Sequence, residues 1–171
     1  DGELKSSIFF SFKKNQKWSK PKLASFSGQY DDSAPHITND GKTLYFISKR
    51  PSDGIQQPSQ DIWKVERKKN NKWGNPIRLN SPINSLQNEY SVRTDKFGNL
   101  YFASDRAANY GQGDLYISKK AKTNYYPPMN LGNTLNSEKG EWNLEVNKEG
   151  DIIIFEASER AENLSSYGDL Y

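Results

Sequence analysis

Three acidic residues stand at similar points along the chain, each at the entry to an apolar stretch: Asp32, Glu89 and Glu141. Carboxylates at equivalent points can hold a cation or a cationic peptide group. Two of them can also hydrolyse a glycosidic bond, one as acid and one as base or nucleophile, if they lie about 5 to 9.5 Å apart. Glu89 and Glu141 are the first suspects for that chemistry. Repetition argues against it, because catalytic acids usually stand out from their repeat; capping backbone donors at a turn is the plainer role. Three arginines, Arg50, Arg106 and Arg160, recur at intervals of 56 and 54 residues. Three aspartates, Asp61, Asp114 and Asp169, recur at 53 and 55. The order predicts a charge-assisted pair pinning one loop in each repeat: Arg50 with Asp61, Arg106 with Asp114 or the backbone of a neighbouring unit, and Arg160 with Asp169. A staple copied in every unit is a better reading than a ligand-binding arginine. Tyr110 and Tyr167, in the same loops, would offer stacking walls to a ligand on the face that carries the acids.

Other chemistries find few residues. His36 is the only histidine and cysteine is absent, which excludes zinc sites built from several His or Cys, disulfides and any Cys/His pair. The stretch "DKFGNLYFASDR" has Asn99 where a calcium loop needs Gly and Arg106 where it needs Glu. There is no Gly-rich phosphate loop and no G-x-S-x-G. No metal and no cofactor is implied. Basic clusters at Lys13, Lys14 and Lys17, at Lys64 to Lys72, and at Lys119 to Lys122 read as solvated strand edges rather than a nucleic-acid surface, since the net charge is only +3. The longest aliphatic-aromatic run, "IIIF", is far too short to span a membrane.

The elements that must position these residues follow from an internal repeat. Apolar residues make up 33 % of the chain and aromatics 13 %, a mix that suits many short half-buried strands. After each Asp an aromatic follows two residues on: Trp63, Tyr116, Tyr171. "LNSPINSLQNEY" matches "LGNTLNSEKGEW", which superposes Asn84 on Asn136 and Glu89 on Glu141. The turns "NDGK", "DKFGN" and "NKEGD" join a first strand to a second; the Asp opens a third, and "PIRL" or "PMNL" is a fourth. Four antiparallel strands every fifty-odd residues predict an all-β fold, a β-propeller of four-stranded blades that pack face to face. The expected units are strands three and four of a first blade over 8–26, full blades over 33–80 and 90–132, and strands one to three of a last blade over 142–171. That is about three blades, a partial ring, which implies contact with further blades from the same longer chain or from another chain.

The residues "LYFASDR…GQGDLYISKK" with "NLGNTLNSEKGEW" resemble the TolB-type, WD40-like propeller repeat, in the variety found in bacterial envelope proteins beside outer-membrane-protein-A-like domains. The likeness covers about 30 to 171 and rests on Ser-x-Arg closing the second strand and Gly-Asp-Leu-Tyr opening the third. The first full blade departs, with Gln60 before Asp61, and the last has a longer second strand. The resemblance implies a periplasmic, outer-membrane-associated or secreted module that binds or scaffolds a protein or glycan of the envelope without catalysis. The alternatives are a carbohydrate-active propeller using paired carboxylates, or the propeller part of an exported peptidase.

Overall fold

Three tight turns organise the chain. Thr38, Asp95 and Asn147 each accept a hydrogen bond from the glycine three residues on: Gly41 at 2.8 Å, Gly98 at 3.1 Å and Gly150 at 3.0 Å. These glycines have φ of 68°, 79° and 79°, the left-handed region that a side chain resists. Each turn folds one strand of five to seven residues back on its neighbour and fixes the antiparallel register.

The computed structural model describes residues 5–69, 72–107, 109–160 and 168–171. Among them the fold is all-β, with no helix. β1 (Phe9–Phe10), β2 (Lys13–Lys14), β3 (Lys17–Trp18) and β4 (Lys22–Leu23) make two antiparallel ladders, β1 with β4 and β2 with β3. β5 (Asp32–Ile37), β6 (Thr43–Ser48), β7 (Asp61–Glu66) and β8 (Ile77–Arg78) form sheet I in chain order. β9 (Glu89–Thr94), β10 (Leu100–Ser104), β11 (Asp114–Ser118) and β12 (Met129–Asn130) form sheet II the same way. β13 (Gly140–Val146), β14 (Ile153–Ser158) and β15 (Asp169–Leu170) form the three-stranded sheet III.

The sheets stack in series because alternate residues of a strand point to opposite faces. Phe46, Trp63 and Val65 of sheet I pack back on Ile8 and Ala24, whereas Tyr45, Ile47 and Ile62 pack forward on Val92, Leu100, Phe102 and Tyr116 of sheet II. Tyr101, Ala103 and Leu115 then meet Leu144, Phe155 and Ala157 of sheet III. One backbone link recurs at each junction: Asp32, Glu89 and Glu141 donate their N–H to the carbonyls of Ser6, Gln60 and Gly113 at 3.0, 3.0 and 2.8 Å. Gly113 and Gly140 make room for Trp142, whose ring lies 2.4 and 2.3 Å from where their Cβ atoms would stand.

Candidate functional site

Ser104 closes β10 and lies across the ladder from Glu89, the first residue of β9. Arg106, two residues on, turns into the same space. Its Nη2 donates to Glu89 Oε1 at 3.0 Å, and the Ser104 and Ser85 hydroxyls donate to that oxygen at 3.1 and 2.8 Å. Arg106 also donates to Ser104 Oγ and to the carbonyls of Pro82 and Ile83 in the connection from sheet I, at 3.2, 3.2 and 2.6 Å. Its guanidinium covers the rings of Phe102 and Tyr116, 4.9 and 5.0 Å from their centroids.

The same assembly closes the other two sheets. Arg50 Nη2 meets Asp32 Oδ1 at 2.6 Å, with Ser48 donating to that oxygen and Ser27 to the other. Its guanidinium covers Phe46 and Trp63. Arg160 donates to Glu141 Oε1 through Nε and Nη2 at 3.0 and 2.9 Å, also reaches the Leu135 carbonyl, and covers Phe155 and Tyr171. The aromatic two residues after each Asp is thus the floor under the arginine of its own sheet.

Two expectations are corrected. The arginines pair with the acids of the first strands, not with Asp61, Asp114 and Asp169. Asp61 is held bidentately by Arg78 at 2.7 and 2.9 Å. Asp114 accepts the N–H groups of Tyr110 and Gly111 and the Asn130 amide, and Asp169 opens β15 opposite Ala157. Nor do Asp32, Glu89 and Glu141 ring an open mouth: they lie inside the first strands at 1, 0 and 0 % exposure. They do satisfy backbone donors at a turn where Ser85 and Ser137 present their N–H groups to Glu89 and Glu141.

Burial pushes the Glu89 carboxyl up to about 7, against the opposing pull of its Ser85 hydrogen bond and of Arg106. Its Oε2 is buried without a hydrogen-bond partner. A raised carboxyl in a cleft would suit a general acid, but this one has no surface open to a substrate.

What remains open on this side is a cleft of about 710 Å³ lined by Tyr110, Asn133, Thr134, Glu138, Lys139 and Glu159, with Arg160 at its edge. Tyr110 is half exposed and fixed by its N–H bond to Asp114. Lys139 and Glu159 face each other at 3.4 Å. A polar cleft with one aromatic wall can take a peptide or sugar by stacking and hydrogen bonds. Tyr167, the second expected wall, lies outside the described residues. Among the described residues no group of three His, Asp or Glu is placed to hold a metal, and no helix is long and apolar enough to cross a membrane.

Two features escaped sequence reasoning. Asn84 and Asn136, matched as repeat marks without a role, act as side-chain peptides. Each accepts the N–H and donates to the carbonyl of one third-strand residue, Ile62 at 2.8 and 3.0 Å and Leu115 at 2.8 and 3.1 Å. His36, Arg93 and Glu145 each sit four residues after one of the buried acids, on neighbouring first strands. Arg93 bridges to Glu145 at 2.6 Å, and His36 Nε2 accepts the Thr94 N–H. Burial, with Arg93 nearby, lowers the imidazole to about 4 despite Glu145. The constant offset was the available signal.

In comparisons with known proteins, no family model matches this chain and no curated protein matches it.

Proposed function

We propose that these stacked sheets are an arc of a TolB-type, WD40-like β-propeller that serves as a non-enzymatic binding or scaffolding module of the bacterial cell envelope. Its ligand is a protein segment or a glycan, taken on the face that carries Tyr110. The arc is supported by the threefold recurrence of the staple and of the inter-sheet backbone link and the twofold recurrence of the asparagine lock, each at an interval of fifty-odd residues. The observation that carries the binding reading is the internal use of all three acids. A paired-carboxylate hydrolase needs its acid and base in contact with substrate, and here each candidate is roofed by an arginine and fully or almost fully buried. The cleft beside them keeps polar side chains and an aromatic ring free for recognition.

The test is an NMR titration of the chain with soluble cell-wall glycan fragments and with a peptide panel, read on backbone amides. The expected result is shifts confined to Tyr110, Thr134 and their neighbours, lost in Tyr110→Ala while its melting temperature stays unchanged. Shifts on another face, or glycan cleavage abolished by Glu89→Gln, would overturn the reading.

A further inference from the structure

Two of the basic clusters that read as solvated strand edges meet at the joint between sheets I and II. Lys64 follows Ile62 on the face of β7 that packs on sheet II. Lys120 stands two residues beyond β11, where the connection to β12 folds back through a bridge between Lys120 and Tyr125. Tyr125 leans on sheet I, its hydroxyl 2.9 Å from that of Tyr45. The Lys120 ammonium lies 4.2 Å from the centre of the Tyr125 ring.

Between these residues is a cleft of about 340 Å³. Its walls include Lys64, Lys120, Asn80, Ser81, Thr123 and Asn124, and among the described residues no Asp or Glu lines it. It shares no wall with the Tyr110 cleft, and Tyr110 and Lys120 lie beyond opposite ends of β11. Arg78, also in the wall, is already held by Asp61. Lys64 meets the Glu66 carboxylate at 2.8 Å, but the Glu66 side chain is 60 % exposed. A pair so open to water contributes little, and Glu66 is free to turn out into solvent. Lys120 has no carboxylate partner among the described residues. Burial and then the charge of Lys64 pull its ammonium below the ordinary lysine value. Two ammoniums thus face one cleft that contains no acid to balance them.

We propose that this cleft binds a phosphate dianion, free or as the monoester of a small alcohol, between Lys64 and Lys120. Phosphate carries about two negative charges near neutral pH, one for each ammonium. A carboxylate would leave one of the two cations unmatched. Hydroxyl and amide groups such as those of Ser81, Thr123 and Asn124 donate well to phosphate oxygens. The cleft is small for a ligand site, with room for a short alcohol beside the phosphate. Neither the propeller curvature nor the Tyr110 cleft is needed for this site.

The test is a titration of the chain with inorganic phosphate, glycerol 3-phosphate and acetate at one ionic strength, read by calorimetry and on backbone amides by NMR. Saturable shifts at Ser81, Lys120 and Thr123 are expected with at least one of the two phosphates and not with acetate. The tighter of the two identifies the source, free phosphate or a phosphorylated alcohol. Lys120→Ala is expected to weaken binding about tenfold, the loss of one charge-assisted bond. Lys120→Arg should retain binding, and Lys122→Ala, outside the cleft, should leave it unchanged. Glu66→Gln should tighten it by releasing Lys64, which keeps the test decisive if Lys120→Ala fails to fold. No binding of either phosphate, shifts spread over every lysine-bearing edge, or affinity unchanged in Lys120→Ala and in Glu66→Gln overturns the site. Acetate bound as tightly as phosphate overturns its charge matching.

Discussion

At the residue scale, the arginine and its acid are unequal partners. Removing one side of a buried ion pair strands the other charge and costs about 3–5 kcal/mol. Arg106→Ala is expected to lose that much in urea unfolding, because it leaves Glu89 fully buried without its cation and uncovers the Phe102 and Tyr116 rings. Glu89→Gln is expected to cost less than half as much. Burial already disfavours its charge, and Arg106 keeps the Pro82 and Ile83 carbonyls. Equal losses would contradict this account of the pair.

The two shifted groups also give a pH dependence of opposite sign. Glu89 is raised from 4.5 to about 7, so its contribution is fully present below pH 4.5 and is lost as pH rises through about 7. His36 is lowered from 6.5 to about 4, so its contribution is present above pH 6.5 and is lost as pH falls through about 4. Arg106 and Asp61 face the first group, and Arg93 and Glu145 the second. Between pH 4.5 and 6.5 the slopes oppose each other. His36→Gln is therefore expected to make stability fall more steeply with rising pH across that window, and Glu89→Gln to make it rise. Unfolding curves measured at each pH check this; two variants with the parent's slope would contradict it.

At the scale of the element, the third strands of sheets I and II are each gripped by an asparagine from the connection to the next sheet. Asn136→Ala would take from the Leu115 N–H, the Leu115 carbonyl and Asn130 Oδ1 their bond to the Asn136 amide, at about 1–3 kcal/mol for each group left without a partner. Hydrogen exchange should show the loss first at Leu115. Gly140→Ala is expected to be at least as harmful, because its Cβ would fall 2.3 Å from the Trp142 ring. Adding Trp142→Ala should relieve part of that loss; strict additivity would contradict the clash.

How much of this was legible depends on the range of the interaction. The Gly turns and the strands they join are local, and "NDGK", "DKFGN" and "NKEGD" could be read from their residues. The Arg–acid pairs were not, although both partners were marked. Arg106 is nearer in sequence to Asp114 than to Glu89, and proximity favoured the wrong partner. The register of the β9–β10 hairpin decides otherwise by placing Ser104 against Glu89. Laying each hairpin out from its Gly turn would have brought the acid opposite Ser-x-Arg. The Tyr110 cleft was legible only as a face, since its walls come from two connections and the end of a third strand pair.

At the scale of the molecule, each sheet keeps one arginine–carboxylate pair inside it. Each sheet is too small to cover its own two faces and is completed by its neighbours. One acid, one arginine, at least one serine bonded to the acid and at least two rings under the arginine close each sheet where it meets the connection from the preceding element. In the proposed binding role, recognition falls to the loops that carry Tyr110, Thr134 and Lys139.

The most direct measurement of this account is the set of arginine side-chain NMR signals. In the structure Arg50 Nε donates to Ser48, Arg106 Nε to Ser104 and Arg160 Nε to Glu141, each guanidinium lying over at least two rings. Three slowly exchanging, ring-shifted Nε–H resonances are predicted, each lost separately in Asp32→Asn, Glu89→Gln or Glu141→Gln. Arginine signals that exchange freely with water, or that remain unchanged in those variants, would contradict it.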